Sequence, residues 1–168
     1  MLKNFFLALI LFFHFSVEAL SNENITYVDV EYLFKNSILG NQIYLKLNEE
    51  NKNIKNKLKD KEKKLIKVEK ELINQKNIVS KEEFNKRLTE LNTEVKLFKS
   101  ERATIIKKFE VDKNKEINLF FQKITPILEE YMRENSISFI LDKKNVLIAD
   151  KKLEITNNLI NIINEKLK

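Results

Sequence analysis

One glycine and one proline in 168 residues leave this chain almost nowhere to turn. Glycine supplies the positive φ of tight turns and proline sets their first corner, so a chain short of both travels in long regular runs. The spacing of apolar residues makes those runs helical. From Tyr44 they fall at Leu47, Ile54, Leu58, Leu65, Val68 and Leu72, with Asn51 and Lys61 interrupting the stripe. Steps of three, four and seven are a heptad rhythm, and the faces between are filled by Lys and Glu.

The stretch "NQKNIVSKEEF" breaks the rhythm, and Ser80 with Glu83 reads as a capping box that starts a second helix. Its stripe is Phe84, Leu88, Leu91, Val95, Phe98, Ile105 and Phe109, interrupted at Arg102. Beyond Phe109 the phase slips to Ile117, Phe120, Ile124, Leu128 and Tyr131. Two helices of roughly 40–50 residues joined near Asn77–Ser80 predict an antiparallel hairpin, a coiled-coil arm reaching about 60 Å. Pro126 either kinks the second helix or opens a new one at its first position.

The opening "MLKNFFLALILFFHFSVEALS" has a basic start at Lys3, an apolar run from Phe5 to Phe15, and the small-x-small pattern Val17–Ala19. It predicts an export signal over residues 1–19, cleaved after 19 or after 21. The run is about a dozen residues, short of the ~20 that span a bilayer. The only histidine, His14, is removed with it, and there is no cysteine. An exported chain lacking both has no disulfides, and it lacks the commonest general base and metal ligand. A single glycine excludes a glycine-rich phosphate loop. The expectation is a protein that is not an enzyme and uses no cofactor or metal.

The two ends of the chain form a body. "NITYVDV" (Asn24–Val30) reads as a strand and "EYLFKN" as a short helical turn. Near the other end, Phe139–Leu141 and Val146–Ala149 around "DKKN" read as a β-hairpin, followed by an amphipathic helix carrying Ile155, Leu159, Ile162 and Ile163. The fold class is α+β: a long helical hairpin on a small β-rich body. The parts are 22–36 (body), 37–134 (arm, tip near 77–80) and 135–168 (body). Under about fifty residues cannot bury an adequate core alone. The predicted core, Tyr27, Val28, Val30, Phe139, Ile140, Leu141, Val146 and Ile148, therefore belongs to an oligomer.

In order, "ITYVDVEYLF", "SILGNQ", the charged hairpin, "ISFILDKKNVLIA" and the final "EIT…LIN" helix resemble the Skp/OmpH family of periplasmic chaperones across the whole mature chain. The resemblance implies a homotrimer with a β-rich body and three helical arms around a cavity. It also implies an ATP-independent holdase in the periplasm that binds unfolded outer-membrane β-barrel proteins and prevents their aggregation.

The charge pattern fits such a client. Between Lys46 and Lys76 eleven lysines face six acidic residues, and between Lys81 and Glu116 ten basic residues face eight acidic ones. A basic arm speeds encounter with acidic clients and with anionic lipid headgroups. The candidate basic contacts are Lys55, Lys59, Lys63 and Lys67; the candidate apolar contacts are Ile66, Ile73, Leu97, Ile106 and Phe121. A lysine-rich face also serves solubility alone. An exported coiled-coil stalk or adaptor of the cell envelope is the competing reading. Nucleic acid is not an expected partner, because arginine is scarce and no binding motif is present.

Overall fold

The computed structural model describes residues 24–167. The expected export signal lies outside the described residues. In chain order the elements are β1 (Asn24–Val28), α1 (Val30–Asn36), α2 (Ile38–Gln75), α3 (Lys81–Glu134), β2 (Ile137–Asp142) and α4 (Thr156–Lys166). Two 3-10 turns, Lys143–Asn145 and Lys151–Leu153, occupy the interval between β2 and α4.

β1 and β2 form a two-stranded parallel sheet, with Thr26 opposite Ile140, Tyr27 opposite Leu141 and Val28 opposite Asp142. Parallel strands cannot be joined by a tight turn and need a crossover. Here the crossover is everything from α1 to α3. On its other edge β1 meets Glu154 in one bridge, where the Ile155 N–H donates to the Tyr27 carbonyl at 3.0 Å.

This corrects the expected β-hairpin and its third strand. Phe139–Leu141 is a strand, but its partner is β1, and Val146–Ala149 is not a strand at all. The carboxylates of Asp142 and Asp150 accept from the backbone N–H of Lys144 and Lys152 at 3.1 and 2.9 Å. Such aspartate-closed turns compete locally with strand pairing. They bracket the apolar run and leave Leu147 and Ile148 in solvent. The first strand is also shorter than expected, because Asp29 caps α1 by accepting from the Tyr32 N–H at 2.9 Å. Val30 consequently begins a helix.

The corner between α1 and α2 is built on Ser37, which is completely buried. Its N–H closes α1 on the Leu33 carbonyl (2.9 Å), and its hydroxyl accepts from Gly40 N–H (3.3 Å) to start α2. A Cβ on Gly40 would lie 2.0 Å from the Phe34 carbonyl oxygen, so the chain's single glycine sits where α1 and α2 cross most closely.

The core lies at the base. Val28, Leu33, Ile137, Ile155, Leu159, Ile160 and Ile163 close around Phe120, Ile124 and Ile127. The last three come from the root of α3, inside the range 37–134 expected to be arm. Their burial gives one chain a core of its own, with Phe34 edge-on to Phe120 at 5.0 Å. Pro126 lies inside α3 and no new helix starts there.

α3 ends with Ser136 at φ 52°, the left-handed conformation that favours glycine. Replacing Ser136 by Gly should stabilise the base by about 0.5–1 kcal/mol, read as a higher melting temperature. Gly40→Ala should do the opposite. Its methyl meets backbone, not a side chain that can swing away, so the cost is about 1–3 kcal/mol or more in a urea titration.

Candidate functional site

α2 and α3 lie side by side in opposite directions. Three polar contacts join them: Lys46 with Glu116 (2.7 Å), Lys61 with Glu101, and an Arg87 guanidinium N–H donating to Gln75 (2.7 Å). In each pair the residue numbers add to the same total, so the register does not slip between root and tip. Leu47, Leu72, Leu91, Phe98 and Phe109 are buried in the seam. Val68 and Leu88, expected there, are exposed. At the turn, the Ser80 hydroxyl accepts from Glu83 N–H at 3.2 Å. The Glu83 carboxylate, expected to reach back, binds Arg87 Nε at 2.7 Å.

In the outer half of the arm the helices part into a groove of about 410 Å³. Ile66, Ile73, Phe84, Leu88 and Val95 form its apolar walls over Phe98. Two of the five predicted apolar contacts, Ile66 and Ile73, thus share one feature. Ile106 is exposed nearer the root, and Leu97 is exposed outside the groove. Phe121 is half-buried, edge-on to Phe120 at 5.3 Å, and packs against the base core. Leu88 was read as seam. The signal in the sequence is the pair of carboxylates, Glu62 and Glu69, that line the same groove from α2.

The four candidate lysines, Lys55, Lys59, Lys63 and Lys67, are all exposed. Lys67 lies 3.8 Å from Glu71. Among the described residues the other three have no carboxylate within 4 Å.

At the base, Tyr27 and Val28 are buried, while Val30, Ile140 and Val146 are half-buried. Phe139 (52%), Leu141 (44%) and Ile148 (89%) are exposed, as is Leu147 at 101%. Phe139 and Leu141 lie on β2, whose outer edge has no strand partner among the described residues, and Leu147 and Ile148 follow it in the chain. An open edge beside exposed apolar side chains is a template for pairing with another chain.

No cluster of metal-ligating side chains exists among the described residues, and no helix there is long and apolar enough to cross a membrane. What the surfaces offer is apolar contact and positive charge. Their ion pairs have ordinary electrostatics. Hydrogen bonds from Lys61, Lys166, Arg87 and Lys144 hold Glu101, Glu130, Glu83 and Asp142 below the usual carboxylate range. Glu116 and Glu154 raise Lys46 and Lys143 above the usual lysine range.

This geometry, a helical hairpin whose two ends meet in a small parallel sheet, has known relatives. The family described as outer membrane protein (OmpH-like) matches residues 24–163. The chain belongs to that OmpH-like family. Among solved structures it is similar to a candidate outer membrane chaperone (OmpH-like) from Caulobacter crescentus CB15, with a TM-score of 0.71 and 14% identity over 85% of each chain. No curated protein matches it.

The ion pairs set a pH dependence. A carboxylate held low adds stability that is present above its unfolded-state value and is lost as pH falls through its folded value. A lysine held high adds stability that is present below its unfolded-state value and is lost as pH rises through its folded value. Residues 24–167 contain no histidine to titrate between these limits. Melting temperatures should therefore coincide from about pH 6 to pH 9 and fall only on either side. Circular dichroism melts across that range check it.

Proposed function

We propose that this chain is an ATP-independent holdase chaperone of the periplasm, exported by cleavage of its first 19 or 21 residues. It binds unfolded outer-membrane β-barrel proteins in a cavity between helical arms and keeps them from aggregating. Residues 22–36 and 135–168 form the body and residues 37–134 the arm. The body assembles into a homo-oligomer, most simply a trimer. The observation that carries the reading is the arm itself. It is held in one register along its length, yet it keeps an apolar groove and unpaired lysines in water. A stalk needs the first property and has no use for the second.

Membership of an OmpH-like family and likeness to a candidate outer membrane chaperone support the same role. So does the base. The open edge of β2 and the exposed side chains of Phe139, Leu141, Leu147 and Ile148 are apolar surface available for a second copy to cover. A second copy covering it completes the core predicted from Val146 and Ile148. Anionic lipid headgroups are a further partner class for the lysines.

Two measurements test this. Light scattering of residues 22–168 should give a multiple of the chain mass, three in the simplest case. A folded monomer at micromolar concentration overturns the assembly. In the second, a urea-unfolded outer-membrane barrel protein is diluted with and without the chain and its turbidity followed. Without added nucleotide the chain should suppress aggregation at several-fold excess. An intact oligomer that gives no protection at low or moderate salt sinks the chaperone and favours the stalk.

A further inference from the structure

At about 100° of rotation per residue, the exposed face of α2 can be traced as a line. Lys52, Lys55, Lys59, Lys63, Ile66, Lys70 and Ile73 all fall within about 40° of one direction on the helix. Every one of them is exposed. Their spacing of three and four residues repeats that of the buried seam, but the side chains are lysine and isoleucine. No carboxylate falls in that sector. The line borders the groove, since Ile66 and Ile73 belong to both. Across the groove, α3 contributes Leu88, Asn92, Lys99 and Arg102. Ile106 lies on the same side of α3, about two turns from Lys99.

The opposite side of the hairpin has another character. Glu83, Glu90, Glu94, Glu101, Asp112 and Glu116 all project there from α3, within about 40° of a common direction. The three polar contacts between the helices lie on this side: Lys46–Glu116, Lys61–Glu101 and Gln75–Arg87. One side is stitched by polar contacts and carries most of the carboxylates of α3. The other is unstitched: lysine and isoleucine fill its outer line, and the groove beside that line is lined by Glu62 and Glu69 as well as by Lys99 and Arg102.

We infer that the arm is two-sided, and that the unstitched side is the gripping face. It fits an extended, unfolded polypeptide segment in which apolar residues are interspersed with carboxylates. Apolar side chains enter the groove between Ile66, Ile73 and Leu88, and carboxylates lie along the lysine line. The stitched side offers no such unbroken basic line, because the carboxylates of α3 stand there among Lys46, Lys57, Lys61, Lys64 and Arg87. In an oligomer the gripping faces turn toward the shared cavity. The inference rests on the holdase reading and adds to it a direction of approach and a sequence grammar for the client.

The experiment uses two variants with the same charge change. Lys59→Glu with Lys63→Glu alters the gripping face. Lys57→Glu with Lys64→Glu alters the stitched side, about 100–160° away on the same helical turns. Circular dichroism and light scattering establish that both keep the helices and the oligomer. The probe is a urea-unfolded outer-membrane barrel protein with a fluorescent label, mixed by stopped flow. The first pair should slow capture several-fold; the second should leave it within about twofold of wild type. Equal slowing would mean that only net charge matters and would overturn the inference.

A second readout does not depend on charge reversal. The chain has no native cysteine, so a photo-crosslinker can be attached at Asn92→Cys on the gripping face or at Glu94→Cys on the stitched side. Adducts with the client should favour position 92 severalfold. Equal yields, or a preference for 94, would overturn the assignment while the holdase reading stood. If the wild-type chain neither captures the client nor suppresses its aggregation, the holdase reading fails first and this one with it.

Discussion

The hydrogen-bonded pairing of β1 with β2 organises this molecule. It ties residue 24 to residue 137 and orients both strands the same way. A parallel pair must be joined by a crossover, and the crossover here has been extended into a long arm. The base closes on the root of that arm through Phe120, Ile124 and Ile127, so the arm cannot swing independently of the sheet. The Ser37 and Gly40 corner sends α2 outward, and the C-terminal turn at Ser136 brings the returning chain back into β2. The mechanical consequence is a lever whose fulcrum is a folded core and whose far end makes few contacts.

The far end is well suited to weak, reversible contact. Beyond the arm's midpoint its seam buries only Leu72, Leu91 and Phe98. Low local contact density lets a segment open at small energetic cost. The exposed lysines cost nothing to desolvate until a partner arrives, and exposed charge acts mainly on the rate of encounter. Grip by such a surface is a sum of small terms, each easily lost, and presenting several arms at once raises it without any single strong contact. On the proposed holdase reading, release from such a surface needs no chemical step.

Much of the architecture was legible in the heptads. The long helices, the turn between them and the amphipathic α4 follow from the scarcity of glycine and proline and from apolar spacing. The sheet was less legible. Alternation around "DKKN" looked like a hairpin, and nothing local in the sequence marked Asp142 and Asp150 as closing their own turns. That β2 would pair with a strand more than a hundred residues away is a long-range fact. Phe120, Ile124 and Ile127 fall inside the range 37–134 expected to be arm, the first two in the stripe that resumes after the phase slip beyond Phe109; spacing identifies a buried face but not what buries it. The candidate surface was half visible. The lysines and Ile66 and Ile73 could be named from the sequence. The side of the hairpin they occupy required the cross-helix contacts.

The shared register of Lys46–Glu116, Lys61–Glu101 and Gln75–Arg87 also bears on how such a chain can change over generations. An insertion in α2 alone would put every outward pair beyond it out of step. An equal insertion at the facing position of α3, in units of seven residues, would preserve the stitching and the lysine line together. Each such paired step would lengthen the arm by about 10 Å, and in an assembly of arms would deepen the enclosed space. Arm length is thus a quantised trait in this architecture, adjustable while the base remains unaltered.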